Sequence, residues 1–232
     1  LNKIGKQFFG QDEPRSLEEL VKNHYVGVED NDRNIGEIFN ALEKNKQLAD
    51  TAMVWSSDHG FFLGEHRFYD KRLMYEPSIR IPMVVRYPRR IKAGSKSTEM
   101  VLNVDVMPSI LDLAGVKPAA DLQGKSFIPL LEGRQIAWRK DWLYEYYDYP
   151  GSLEVRPSRG VRNVRYKYIH YFLDPQEYEF YDLKNDPDEM YNLYSDPRYK
   201  DLIARHAARL EELRAETKDT YVYRPTVKRK EG

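Results

Sequence analysis

The stretch S-S-D-H-G-F-F-L-G-E-H-R-F-Y-D-K, residues 56–71, gathers the side chains best suited to chemistry. Asp58 and His59 offer a carboxylate beside an imidazole, and Gly60 supplies a sharp turn that lets both reach one ion. This mixed oxygen and nitrogen set suits a divalent cation without specifying which. Lys71 adds a cation of the kind that binding an oxyanion such as sulfate or phosphate requires, because the ester's charge needs a clamp on the side away from a metal. His66 lies in the glycine-containing loop between them. A second reading stays open for each: an Asx turn at a strand end for Asp58, a backbone-bonded loop histidine for His66, and an ordinary surface lysine for Lys71.

Several elements must position these groups. T-A-M-V-W-S-S reads as a buried strand ending at Ser56, so Asp58 and His59 follow its carboxyl end, where open α/β sheets bind ligands. Ile35, Ile38, Phe39 and Leu42 recur at helical spacing and predict a helix over 32–44. A helix leading into a buried strand is half of a parallel α/β unit. P-M-V-V-R-Y-P, residues 82–88, is a strand bracketed by prolines, and Asp105 is expected to cap a helix that Gly115 stops. The pattern changes near Trp138. W-L-Y-E-Y-Y and V-R-N-V-R-Y-K-Y-I alternate as half-buried antiparallel strands, with Val164, Tyr166 and Tyr168 on one face. A last helix over 196–218 carries Leu202, Ile203, Leu210 and Leu213 as its apolar stripe. The expected organisation is an α/β portion over 1–133, then a smaller α+β unit over 134–232 with an antiparallel sheet and a C-terminal helix.

Composition narrows the function classes. Lys+Arg and Asp+Glu both number 37, so nothing global attracts nucleic acid or an anionic membrane. The basic run Val227–Lys230 reads as a solvated tail. Zero cysteine excludes a disulfide framework, a thiolate zinc site and a cysteine nucleophile. No apolar run approaches the roughly 20 residues that span a bilayer. The start at Leu1, without Met, suggests a sequence that begins inside a larger protein.

The motif S-D-H-G-x-x-L-G-E-H-x-x-x-x-K-x-x-x-Y-E-x-S-x-R-x-P, residues 57–82, resembles the second half of the sulfatase family, within the alkaline-phosphatase-like superfamily. L-N-V-D-V-M-P-S-I-L-D-L-A-G-V, L-Q-G-K-S-F-I-P-L-L-E-G, R-G-V-R-N-V-R-Y-K-Y-I and F-Y-D-L-K-N-D-P-D-E continue the resemblance in order, from about Tyr25 to Pro197. It implies an alkaline-phosphatase-like sandwich and a sulfuric ester hydrolase of sulfated carbohydrates. Asp58 and His59 would be ligands of a calcium-like ion, Lys71 a contact to sulfate oxygens, and His66 a group near the substrate. Glu76 and Arg80 match structural positions; Tyr25 and Asp32 fit the preceding helix without a catalytic role. The family's nucleophile, a Cys or Ser oxidised to formylglycine, belongs to the N-terminal half and is expected upstream. So are further metal carboxylates and the histidine and lysine used around the sulfate. Y-E-Y-Y-D-Y-P-G, residues 144–151, followed by V-R-P-x-R-G-V-R, is most similar to N-acetylglucosamine-6-sulfatases and mucin-desulfating sulfatases, in which a histidine is expected where Ser158 stands. The kinship implies a periplasmic, extracellular or lysosomal-type setting.

V-R-P-S-R-G, residues 155–160, is similar to the C-x-P-S-R signature around that nucleophile, but Val155 stands where the Cys or Ser should be. It aligns instead with the segment before the G-V-R-x-x-R-Y-K strand. Its expected role is a turn at Pro157 and strand entry at Gly160, or a substrate-facing loop using Arg156 or Arg159 on an acidic glycan. Two alternatives stand beside the sulfatase reading. A phosphodiesterase or phosphonate monoester hydrolase of the same superfamily shares the loop and the lysine, although the Y-D-L-K-N-D-P-D-E ending favours a sulfatase. A non-catalytic truncated fragment or glycan-binding module would stack sugars on Tyr144, Tyr146, Tyr147 or Tyr149, which otherwise serve as strand-face residues. The isolated chain is expected to bind calcium weakly and to turn over nothing.

Overall fold

A computed structural model describes residues 16–149 and 154–222. The basic run Val227–Lys230, the start at Leu1, and Pro150 and Gly151 of the tyrosine-rich stretch lie outside the described residues. The chain forms two compact units: one of residues up to Tyr69 together with Arg80–Trp138, the other of Asp70–Ile79 together with the residues from Arg139 onward.

In the first unit, helix α1 spans Leu17–Lys44. It starts at Leu17 rather than Asp32 because Ser16 caps it, its hydroxyl accepting from the Glu19 backbone N–H at 3.1 Å. The added turns escape periodicity because their apolar residues Tyr25, Val26 and Val28 are exposed, as is Ile38. Strand β1 (Met53–Ser56) pairs antiparallel with β4 (Met83–Arg86), with Trp55 opposite Val84. The connection between these two strands turns back rather than crossing over. Between them lie β2 (Phe62–Leu63), a 3₁₀ turn at Glu65–Arg67, β3 (Tyr69–Asp70) and the short helix α2 (Glu76–Ile79).

Helix α3 (Val106–Leu113) ends before Gly115, whose φ of 68° is the left-handed stop that a glycine makes without penalty. Asp105 occupies the N-cap position of α3, as expected, but its side chain makes no capping hydrogen bond there. The Asp105 side chain is buried, accepting the Leu102 N–H and the Lys125 N–H, both at 2.8 Å, so it staples two loops together. Ile91, Phe127 and Ile128 form this unit's core against Val54, Val85, Leu113 and Trp138, with Ile128 at the start of helix α4 (Ile128–Leu131).

In the second unit, β5 (Asp141–Tyr146), β6 (Ser158–Asn163), β7 (Tyr166–Tyr171) and β8 (Glu177–Asp182) form an antiparallel sheet in sequence order. Tyr168, Val161 and Phe180 face helix α5 (Lys200–Glu216) and bury its Ile203, Leu210 and Leu213. Alternation sends Ile169, Tyr171 and Tyr181 to the opposite face, where they pack on Met74, Leu73 and Tyr75. The sheet is therefore covered on one side by α5 and on the other by the segment Asp70–Ile79. This is the mixed helix and antiparallel-sheet architecture that the sequence predicts for the C-terminal unit.

Candidate active site

Asp58 and His59 leave the carboxyl end of β1 as expected. The carbonyl of Asp58 accepts from Asn103 Nδ2 at 2.7 Å, and the Ser57 hydroxyl donates to the His59 carbonyl at 2.8 Å, so the loop is pinned on both sides. Helix α1 braces the same loop, with His24 stacked on Phe61 at 5.6 Å. The turns of α1 that periodicity misses thus support the residues periodicity cannot place.

The tautomer of His59 follows from its neighbour. Nδ1 lies 2.7 Å from the Gly60 carbonyl, which only accepts, so Nδ1 carries the proton. Nε2 then presents its lone pair 3.3 Å from Asp58 Oδ2. Two electron-rich atoms facing one another call for a positive centre between them, a metal ion or a proton. An imidazole held by Nδ1–H on a backbone carbonyl is the arrangement that metal-ligating histidines use. The carboxylate is largely free of burial, its side chain 82% exposed. The pair therefore fits a divalent cation as a partial donor set. Among the described residues, no group of three or more His, Cys, Asp and Glu gathers around one point. Asp58 Oδ1 also accepts the adjacent His59 N–H at 3.0 Å.

His66 sits in the 3₁₀ turn Glu65–Arg67 at φ 51°, half-buried, with its ring edge-on to Phe62 at 6.2 Å. Residues 64–72 concentrate unusual backbone: Gly64, His66, Arg67, Asp70 and Arg72 all have positive φ. Such strain costs roughly 1–3 kcal/mol per non-glycine residue and persists where surrounding structure enforces it, often at functional sites.

Lys71 belongs to the segment on the sheet of the second unit. Its side chain is 35% exposed, and its ammonium lies 3.8 Å from Asp70 Oδ1. Asp70 is buried, and its other oxygen accepts from Arg72 Nη1 at 2.7 Å. Five residues on, Glu76 anchors the segment: Arg162 donates to both its oxygens, at 2.8 and 3.0 Å, and Lys167 Nζ reaches it at 2.9 Å. Lys167 and Glu189 are both wholly buried and paired at 2.5 Å, and Glu189 also accepts the Glu76 backbone N–H. Burial alone would raise the Glu76 carboxyl, but the Arg162 hydrogen bonds and the Lys167 charge hold it down at about 2. Burial pushes Glu189 up. Glu76 is thus held in a buried ion-pair network, whereas Arg80 is exposed and belongs to the first unit.

The two arginines of V-R-P-S-R-G are committed inside the protein. Arg156 binds Glu177 and the carbonyl of Leu173. Arg159 is buried between the rings of Tyr147 and Phe172, donating to the Tyr147 hydroxyl at 2.8 Å and to the Tyr221 carbonyl at 2.7 Å, with Asp219 at 3.3 Å. A glycan could engage these donors only by displacing those partners. Ser158 is buried in the sheet. The sequence gives no sign of the Asp70–Arg72 pair, and offers Tyr144 only as a sugar-stacking or strand-face ring and Gly160 only as a strand entry, because their partners become neighbours only in the fold.

Two family models match: one described as N-sulphoglucosamine sulphohydrolase, C-terminal, over residues 64–216, and one described as Sulfatase over residues 3–116. An N-acetylglucosamine-6-O-sulfatase of Bacteroides thetaiotaomicron is 42% identical over 207 residues, which is 88% of this chain and 36% of that protein. A Delta 4,5-hexuronate-2-O-sulfatase of the same organism is 32% identical over 82% of this chain and 40% of its own length. A structure solved with its substrate D-glucosamine-2-N,6-O-disulfate is 44% identical with a TM-score of 0.78, covering 82% of this chain and 39% of that one. The chain thus spans well under half the length of these relatives, and among its described residues no helix is long and apolar enough to cross a membrane. With family models matching residues 3–116 and 64–216 and the architecture in agreement, the chain belongs to the sulfatase family.

Proposed function

We propose that this chain is the C-terminal portion of a glycan sulfatase that hydrolyses 6-O-sulfate esters of glucosamine-type sugars. The observation that carries the reading is the 42% identity to an N-acetylglucosamine-6-O-sulfatase along nearly the whole chain. In this reading residues 1–133 are part of the catalytic α/β domain, residues 134–232 are its C-terminal subdomain, and the formylglycine nucleophile lies on upstream residues of the same enzyme.

Asp58 and His59 would hold a calcium-type cation, His59 through Nε2 and Asp58 through its carboxylate. When bound, that ion neutralises sulfate charge and favours the ionised form of a nearby hydroxyl. The Lys71 ammonium shares the negative charge that builds on the non-bridging oxygens as the bond from sulfur to the sugar oxygen breaks. The departing oxygen needs a proton, and His66 is this chain's candidate donor, beside the upstream histidine that the family resemblance implies. Such an enzyme would work in an exported setting, on extracellular glycans.

The test is sulfate release by the complete polypeptide from a panel of sulfated sugars. Release from N-acetylglucosamine 6-sulfate in preference to 2-O-sulfated uronates is the expected result. Preference for the uronates would reassign the substrate. Hydrolysis of phosphodiesters with no sulfate ester cleaved would overturn the sulfatase reading.

A further inference from the structure

We propose that Tyr144 is a positioning residue for Lys71, acting from the sheet through the backbone of Arg72. The inference rests on the reading of Lys71 as a sulfate contact. Lys71 lies between two residues in the left-handed region, Asp70 at φ 97° and Arg72 at φ 87°. Neither is glycine, so this conformation must be imposed from outside the segment.

The C-terminal side of the segment is fixed first. Met74 is fully buried and seated at Gly160, where an added Cβ would stand 2.2 Å from the Met74 sulfur and 2.6 Å from the Tyr168 carbonyl oxygen. Glu76 is held by Arg162, Lys167 and, through its N–H, Glu189. Those contacts leave residues 71 and 72 to be directed. At Arg72 three bonds do so: its N–H donates to Ser78 Oγ at 3.2 Å, its guanidinium grips Asp70, and its carbonyl accepts the Tyr144 hydroxyl at 2.7 Å.

Of these three, only the Tyr144 bond comes from the sheet itself. Tyr144 stands on β5 opposite Gly160, so one register position supplies both the notch for Met74 and the clamp on Arg72. Burial raises the Tyr144 phenol well above its ordinary value, so it remains a donor at any working pH. Its ring packs in the cluster around Met74 and Ile169, and its hydroxyl is occupied by Arg72 rather than offered to a sugar.

The test is a double-mutant cycle in the complete enzyme, using an activated aryl sulfate so that weak turnover stays measurable. Tyr144→Phe keeps the ring and the fold and removes one hydrogen bond. Displacement of a charge-stabilising group by about 1 Å can cost on the order of 100-fold, and a loosened backbone bond should cost roughly tenfold in kcat/KM. In a Lys71→Ala background the same substitution should cost nothing further, because the group it positions is gone. An equal loss in both backgrounds overturns the proposal, since Tyr144 would then act elsewhere. So does an inactive Lys71→Ala enzyme beside an unimpaired Tyr144→Phe. Full turnover by Lys71→Ala is a different failure: it removes the lysine assignment itself, and this inference with it.

Discussion

The Asp58–His59 pair shows how far residue types go without geometry. Their identities and the following glycine allow a cation site or an Asx turn in the sequence, but the direction of the His59 lone pair depends on the Gly60 carbonyl, which no spacing rule supplies. The pair gives a direct prediction for the chain as it stands. Calorimetric titration should detect weak calcium binding, on the order of 10⁻³ M, as befits a partial oxygen and nitrogen donor set. Asp58→Asn and His59→Ala should each abolish it without lowering the melting temperature; undiminished binding in either variant would remove that residue from the ligand set. The arginines make the opposite case. From the sequence Arg156 and Arg159 could face a glycan, whereas in the fold Arg159 joins Tyr147 to Tyr221 and Asp219, partners far along the chain.

Among the elements, helices and strands with regular apolar spacing are legible: α5 and its stripe, the tyrosine-bearing strands β5 and β7, and the stop at Gly115, whereas Val164, read on one face with Tyr166 and Tyr168, is exposed in the bend between β6 and β7. Which segment covers which face is not legible, because the sheet's second layer is the short segment Asp70–Ile79, drawn from the other half of the chain. Its attachment yields two stability predictions. Gly160→Ala should cost at least about 2 kcal/mol in denaturant melts, since overpacking meets the Tyr168 backbone as well as Met74. A cost near zero would show that the sheet yields at this notch. The Glu76 network sets a pH dependence. Its folded pKa of about 2 lies below the ordinary 4.5, so its contribution is complete above pH 4.5 and is lost as pH falls towards 2. Glu76→Gln should destabilise by about 3–5 kcal/mol at neutral pH, leaving Lys167 and Arg162 short of a partner. The gap to wild type should narrow between pH 4.5 and 2. A gap independent of pH would assign the loss to packing instead.

At the scale of the molecule, the proposed function gives Asp58 and His59 the role of a partial donor set and Lys71 that of a sulfate contact, on a segment anchored by a buried ion network. The relatives the chain matches are more than twice as long. In the proposed function these residues work together with upstream residues of one enzyme. The most direct test is sulfate release from N-acetylglucosamine 6-sulfate, measured side by side for the 232-residue chain and for the polypeptide that includes its upstream residues. Release by the longer polypeptide and none by the chain alone is the expected result. Robust turnover by the isolated chain, or silence from both, would contradict the proposed function.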